Sequence, residues 1–321
     1  MSKEKTYKRK SLKRKKFSLV LSGGSSLGLA HIGTIKYLER NSLTPDEIIG
    51  TSMGSVIGSL YALGETSKTI QNKIKNLKTK NLFEIKYLQG RVDYRKGKAF
   101  LKELFQDKKI KDTKIPLKII ATKLKNGKEK VFTKKDDIKI YDAVLASSAI
   151  PGILNTVKIK GEIYIDGCVS SNLPIEVAKK NNIKLAINVI NRKGTNYKYK
   201  NPKTNFMQNL KTKIGILRKA STYYILNQTE SKISNAKKII LIEPNLNRFN
   251  SYKIVNHKKI IQAGYLETKK YFDNAENKLT HKCKKKLITP LEKIINFPIK
   301  TSRKIIKNIQ KLDQSTTLHN K

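Results

Sequence analysis

Ser52 stands in Gly50-Thr51-Ser52-Met53-Gly54, a G-x-S-x-G pentapeptide that follows the short apolar run Ile48-Ile49 and precedes an alanine- and leucine-bearing segment. That context predicts a strand, a tight turn and a helix. Gly50 and Gly54 let strand and helix approach, and the turn projects the Ser52 hydroxyl outward as a nucleophile would require. The first helical amides then favour negative charge at that point. A glycine-rich connector with no chemistry is the alternative. A second signal is Ser22-Gly23-Gly24-Ser25-Ser26-Leu27-Gly28. Glycines let successive N–H groups converge on one point. A hydrolytic serine needs such a point, because attack on an ester puts negative charge on the former carbonyl oxygen. A phosphate cradle is the rival, but the string is not G-x-G-x-x-G and lacks the Gly-Lys-Ser/Thr ending of a P-loop. The third signal is Ile163-Tyr164-Ile165-Asp166-Gly167-Cys168 at a strand end. Asp166 could be the base for Ser52, with Gly167 in a supporting turn, or it could make an ordinary Asx turn. A triad would need a histidine. His281 and His319 lie in a lysine-rich end. Spacing leaves His257 open, and His31 suits a packing or turn-supporting role.

Strands and helices must position these residues. Phe17–Leu21 reads as a strand, 27–38 as a helix, 47–50 as a strand and 53–63 as a helix. A further strand core spans 117–121, introduced by Pro116, and a short one 131–133. Residues 159–165 read as a hairpin turning near Lys160-Gly161. Residues 175–180 read as a helix and 185–190 as a strand. Apolar runs separated by amphipathic helices argue for a mostly buried sheet flanked by helices. Beyond Val189 the signal weakens. Residues 191–205 read as a loop, 206–229 as one or two helices, 238–243 as a strand and 255–272 as a helix. Ile305, Ile306, Ile309 and Leu312 share one face of a basic amphipathic stretch that could lie in a lipid interface or pack on the parent domain.

Composition excludes several classes. The 321 residues suffice for one large domain, or a medium one with an extension. Cys168 and Cys283 are the only cysteines, so this is no disulfide scaffold. No apolar run reaches the roughly 18–20 residues of a membrane-spanning helix. The apolar stretch after the basic leader is too short for a signal peptide, which makes cytosol the default compartment. No H-E-x-x-H, clustered cysteines or EF-hand loop calls for a metal, and no cofactor is expected. Lys and Arg number 69 against 24 Asp and Glu, a net charge of +45. Three origins compete. A/T-rich codons would enrich Lys, Asn and Ile together, an anionic membrane surface would attract the charge, and nucleic acid would too. The scarcity of arginine and the absence of any zinc-finger, aromatic-ladder or helix-turn-helix signal disfavour nucleic acid.

Taken in order, these blocks resemble the patatin-like phospholipases, bacterial serine acyl hydrolases. The resemblance runs from about Phe17 to Ile190. It rests on the Leu21–Gly33 string ending Ala30-His31-Ile32-Gly33, and on Gly50-Thr51-Ser52-Met53-Gly54-Ser55. It continues through Ile115-Pro116-Leu117, Ala121-Thr122 and the 146–152 string Ala-Ser-Ser-Ala-Ile-Pro-Gly. It closes with Asp166-Gly167 and Asn172-Leu173-Pro174. The resemblance implies a three-layer α/β/α sandwich with a mostly parallel central sheet. It implies Ser52 as nucleophile and Asp166 as general base of a dyad, amides of Gly23, Gly24 and Ser25 as oxyanion hole, and 146–152 shaping the site. Esters of phospholipids or lysophospholipids are the implied substrates. The expected organisation is a basic leader over 1–16, a hydrolase domain over 17–277 with its motif-bearing core in 17–190, and a lysine-rich extension over 278–321. The chain departs from the family pattern at Ser25, where a third glycine is usual, at Leu27, where Arg or Lys is usual, and at Cys168, where glycine or alanine is common. These departures motivate the alternative of an impaired scaffold that binds anionic membranes or a partner.

Overall fold

The computed structural model describes residues 15–75, 85–86, 91–92, 94–152, 154–192, 206–249 and 256–282. The chain divides into two compact units, Lys16–Tyr271 and, separately, Met1–Lys15 with Phe272–Lys321. Nearly all of the second lies outside the described residues, including most of the leader and the 305–312 amphipathic stretch; so does most of the loop expected over 191–205.

The elements follow in chain order. β1 (Phe17–Leu21) leads through a 3-10 turn (Ser25–Leu29) into α1 (Ala30–Arg40). β2 (Glu47–Thr51), α2 (Met53–Ala62) and α3 (Ser67–Lys75) follow, then a small hairpin of β3 (Ile85–Lys86) and β4 (Arg91–Val92), and α4 (Tyr94–Phe105). β5 (Leu117–Lys123), β6 (Glu129–Phe132), α5 (Ile140–Ser147), β7 (Val157–Ile159), β8 (Glu162–Asp166) and the short α6 (Cys168–Ser171) come next. β9 (Ile183–Ile187), α7 (Phe206–Ser234), β10 (Ile239–Ile242) and α8 (His257–Lys282) complete the set.

Eight strands form one sheet, hydrogen-bonded in the order β10-β9-β1-β2-β5-β8-β7, with β6 also on β5. From β10 to β5 every pairing is parallel. β6, β7 and β8 join antiparallel. β1 and β2 are buried at every position. Strands covered on both faces read as continuous apolar runs, which is why these two segments were legible. Side chains alternate between the faces. Val20, Ile49, Ile120 and Ala186 pack with Leu173 and Ile175 and with Ile233 near the end of α7. Leu21 and Ile48 meet α2 at Gly58. The sheet is thus mixed α/β with helices on both sides, as the apolar pattern implied.

Three local expectations need correction. The helix expected over 27–38 begins as a 3-10 turn, because Gly24 (φ +156°) and Ser25 (φ +50°) bend the chain sharply before it. The helix expected over 175–180 is only a 3-10 turn, Ile175–Val177. Buried Glu47 captures the Lys179 amide through Oε1 at 2.6 Å and draws the backbone out of helical form. β9 stops at Ile187 rather than 190, because the Val189 amide turns to Ser22 Oγ at 3.0 Å. The hairpin was placed correctly: Lys160 and Gly161 both have φ above zero, as a two-residue turn between twisted strands prefers.

α1 and α8 cross with their backbones in contact. A Cβ on Gly264 would lie 2.0 Å from the Ala30 carbonyl oxygen, and one on Gly33 would lie 2.0 Å from that of Ile261. Thr34 Oγ1 and Thr268 Oγ1 share a hydrogen bond of 2.9 Å in the same crossing. Gly264→Ala is expected to force the helices apart and to cost about 3 kcal/mol of unfolding free energy. Urea unfolding measures this as a lower midpoint. A variant within about 0.5 kcal/mol of wild type would contradict the tight crossing.

Candidate active site

Ser52 occupies the turn between β2 and α2 at φ +51°, ψ −122°. A non-glycine residue held there carries strain of about 1–3 kcal/mol. Its neighbours over-determine the position. A Cβ on Gly50 would come within 2.5 Å of the Gly54 carbonyl oxygen, and one on Gly54 within 2.4 Å of that of Leu21. Only glycine allows β1, β2 and α2 to approach so closely. Ser52 N–H donates to Ser147 Oγ at the end of α5, 2.8 Å away. The Ser52 carbonyl accepts from Ser55 N at 2.8 Å and from Ser55 Oγ at 2.6 Å.

Asp166 reaches Ser52 because of strand register. β2 pairs with β5 up to Thr51 opposite Ile120. β8 pairs with β5 from Asp166, opposite Ala121. β6 occupies the other flank of β5 over the same stretch, so β2 and β8 share one flank and meet end to end. Ser52 Oγ donates to Asp166 Oδ2 at 3.1 Å, and Cys168 N–H donates to Oδ1 at 2.8 Å. The Asp166 main chain is held as well, its N–H by the Ala149 carbonyl at 2.9 Å and its carbonyl by Thr122 Oγ1 at 2.8 Å. Gly167 passes the junction where a side chain would strike the Ile120 carbonyl at 2.4 Å. Ser52 is 5% exposed and Asp166 2%. Burial pushes the Asp166 carboxyl up to about 6, against the opposing pull of the Cys168 amide and thiol and of Ser52. Burial, and then the Asp166 charge, push the Cys168 thiol well above its usual range, so the thiol stays protonated.

The glycine loop follows β1. Ser22 ties it to β9: Ser22 N–H donates to the Ile187 carbonyl at 3.1 Å, and Ser22 Oγ accepts the Val189 amide. Gly23 differs from expectation. Its N–H donates to the Asn172 carbonyl at 3.2 Å, which removes it from the set of available donors. The amides of Gly24 and Ser25 have no acceptor among the described residues. Ser25 sits at φ +50°, the region that favours glycine, so its departure from the glycine pattern carries backbone strain. Gly28 packs under Met53; a Cβ there would lie 2.5 Å from Met53 Cγ, which joins the loop to the elbow.

Neither His31 nor His257 is among the hydrogen-bond partners of Ser52 and Asp166. His31 is fully buried, and its Nε2 donates to the Ser22 carbonyl at 2.8 Å. Burial pushes it down to about 4, so it is neutral and braces the loop. His257 begins α8. The two Asp166 oxygens are taken by a serine and a backbone amide, so the geometry is that of a Ser–Asp pair. The motif reading did not single out Ser147 and Asn172 as individual residues. The sole signal for each was its place in a matched string. Asn172 is fully buried, and neither atom of its amide has a partner among the described residues. A Cβ on Gly23 would fall 2.9 Å from Asn172 Oδ1 and 3.2 Å from Ser52 Cβ. The Asn172 amide therefore adjoins the serine across Gly23.

A family model described as patatin-like phospholipase matches residues 19–179, which contain Ser52, Asp166, Asn172 and the glycine loop. The lysophospholipase NTE1 of Scheffersomyces stipitis is 28% identical over 180 residues, covering 53% of this chain and 11% of that protein. The patatin-like phospholipase domain-containing protein 6 of Homo sapiens is 29% identical over 182 residues, covering 53% of this chain and 13% of that protein. The match thus spans only a small part of these relatives' own lengths. Among solved structures, VipD from Legionella pneumophila superposes with a TM-score of 0.53 at 16% identity, over 81% of this chain and 67% of that one, a likeness of fold.

The raised Asp166 carboxyl sets a pH dependence for stability. Below pH 3.8 it is protonated folded and unfolded, and its burial is neutral. Between 3.8 and about 6 the unfolded chain ionises first, so stability falls as pH rises. Above that the native state carries the full penalty, about 3 kcal/mol. Asp166→Asn removes the charge, keeps an oxygen to accept the Cys168 amide, and turns an NH2 donor towards Ser52 Oγ. It is expected to be more stable than wild type at neutral pH, by a margin that shrinks towards pH 4. Denaturant unfolding across that range measures it, and a margin independent of pH would rule out the buried charge as its source.

Proposed function

The chain belongs to the patatin-like phospholipase family of lipid acyl hydrolases, and from that premise we propose that it cleaves carboxylic esters of phospholipids or lysophospholipids, with Ser52 as nucleophile and Asp166 as general base. One observation carries the reading: the buried hydrogen bond from Ser52 Oγ to Asp166 Oδ2 at 3.1 Å. The substrate class is supported by the family and by relatives named as lysophospholipases.

Ser52 Oγ attacks the ester carbonyl carbon as Asp166 takes its proton. The carbonyl electron pair moves to oxygen, where the Gly24 and Ser25 amides and the first amide of α2 are the assigned donors. Removing one such donor typically costs about 3 kcal/mol of transition-state stabilisation. The intermediate collapses, the alcohol oxygen leaves and takes the proton from Asp166, and the acyl group remains on Ser52. Asp166 next takes a proton from water as the water oxygen attacks the acyl carbon. The bond to Ser52 Oγ breaks, Oγ recovers its proton, and the fatty acid is released. A lone carboxylate is normally a weak base. At about 6, Asp166 is a stronger one, yet ionised at neutral pH. No metal or cofactor enters these steps.

A lipid substrate puts the reaction at a water–lipid boundary. No helix among the described residues is long and apolar enough to cross a membrane, and peripheral attachment from the cytoplasmic side is our assignment. We keep 17–277 as the hydrolase domain and 278–321 as an extension. A second reading has a specific observation in its favour. Ser25 is strained where glycine is usual and Gly23 has spent its amide, which suits an impaired scaffold that binds anionic membranes or a partner. Fluorophosphonate labelling of Ser52 separates the two, since only a competent nucleophile reacts.

Purified protein is expected to release free fatty acid from lysophospholipid. Ser52→Ala and Asp166→Asn should each reduce kcat/KM by at least about 10⁴-fold, and the wild-type rate should rise with pH to a plateau above about 6. Equal release by all three proteins would sink the assignment. Ser25→Gly should change turnover by less than about threefold, because the donors are main-chain groups. A gain of about a hundredfold would favour the impaired scaffold.

A further inference from the structure

α7 turns an apolar face outward. Ile216, Leu217, Ala220, Tyr223 and Tyr224 fall within an arc of ~120° on this helix, and all five are exposed, Leu217 at 68% and Tyr224 at 58%. The inward positions, Leu226 and Thr229, are each 1% exposed. A contiguous apolar stripe of this kind on a water-soluble surface marks an interaction site. Its chemistry indicates the partner. From Ile216 to Thr229 the helix carries no acidic residue, Lys219 flanks the stripe, and the next residue, Glu230, is paired with Arg192. Lys219 Nζ lies 4.8 Å from the centroid of the Tyr223 ring. Tyrosine beside aliphatic residues and lysine is the composition favoured where a helix lies in a lipid headgroup layer.

The same helix is joined to the catalytic flank. α7 packs against α6, the turn that directly follows Asp166 and Gly167. Lys232 Nζ donates to Ser171 Oγ in α6 at 2.8 Å and pairs with Glu176 at 3.1 Å. Leu226 and Thr229 face the protein while the stripe faces away from it.

We propose that the outward face of α7, Ile216 to Tyr224, docks this protein on an anionic lipid surface and holds the Asp166 flank about one helix diameter, ~10 Å, from it. The proposal rests on the lipid-hydrolase reading only in the choice of a lipid partner. The apolar stripe enters the headgroup layer, Lys219 at its edge meets lipid phosphates and carboxylates, and the net charge of +45 adds long-range attraction that salt screens.

The chain has no tryptophan, so one substitution makes a unique fluorescent reporter. The test uses the full chain and vesicles of equimolar phosphatidylcholine and phosphatidylserine. On vesicles the Tyr224→Trp reporter is expected to shift its emission to the blue and to be quenched by brominated lipid. Leu124→Trp, at an exposed position beyond β5, should do neither. A Leu217→Asp/Tyr224→Asp double variant should bind at least about tenfold more weakly, while hydrolysing a short water-soluble ester at the wild-type rate. Four results would overturn the proposal: a silent Tyr224→Trp reporter on protein bound to vesicles; a reporter already blue-shifted in buffer, which means that another segment covers the stripe; a concentration-dependent dimer abolished by the double variant; or equal binding to pure phosphatidylcholine. If the double variant fails to fold, the Tyr224→Trp reporter still decides. Failure of wild type on the soluble ester counts against the hydrolase reading alone, because the vesicle measurements need no turnover.

Discussion

Two strand ends meet head to head on one flank of β5, and the candidate site depends on that junction. β2 runs parallel to β5 and stops opposite Ile120; β8 runs antiparallel and stops opposite Ala121. A serine one step past the first end and an aspartate at the second are thereby brought within hydrogen-bond reach, across 114 residues of sequence. Much of the surrounding architecture keeps that meeting in place. Gly50 and Gly54 let the elbow turn, Gly167 lets the chain clear β5, and Ser147 and Thr122 hold the two main chains. The contact between Ser52 and Asp166 is a property of sheet register before it is a property of two side chains.

The sheet holds a second buried carboxylate, and the comparison shows what sets the first apart. Glu47 begins β2, while Ser52 follows its end. Burial pushes Glu47 up, but the Lys179 amide, Ser18 Oγ and the Lys118 ammonium together hold it below the usual carboxylate range. Asp166 receives a backbone amide, a hydroxyl and a thiol but no cation, and burial wins. One carboxylate is a structural clamp stable as an anion. The other keeps appreciable affinity for a proton, which a general base must do. The native state carries free energy at Asp166 that a stability-optimised fold would avoid.

The sequence made the parallel core legible because strands buried on both faces are written as unbroken apolar runs, and the elbow because glycine and serine occur at a spacing that few local structures require. The ends of the glycine loop were harder to read. Gly23 belongs to the loop by composition, yet its amide serves Asn172, a pairing set by tertiary approach across 149 positions rather than by any local pattern. The early end of the helix expected over 175–180 has the same origin: Glu47, far away in sequence, takes an amide that helix propensity would assign locally. α3 and α4 escaped even though their apolar residues recur at helical spacing, because lysines interrupt their apolar runs, and α5 because it spans only eight residues. The outward apolar face of α7 was hidden for a different reason. Apolar residues lie around much of that helix, so no single buried stripe stands out in its sequence.

The strand order has a consequence in time. The loop after β1 is shaped by Ser22, whose partners, Ile187 and Val189, are made more than 160 residues later. Ribosomes add about 5–20 residues per second, so the nascent chain carries its serine elbow for ~10–30 s before the opposing loop can be locked. The topology of the sheet thus makes the loop opposite the elbow one of the last parts of the candidate site to be set during synthesis.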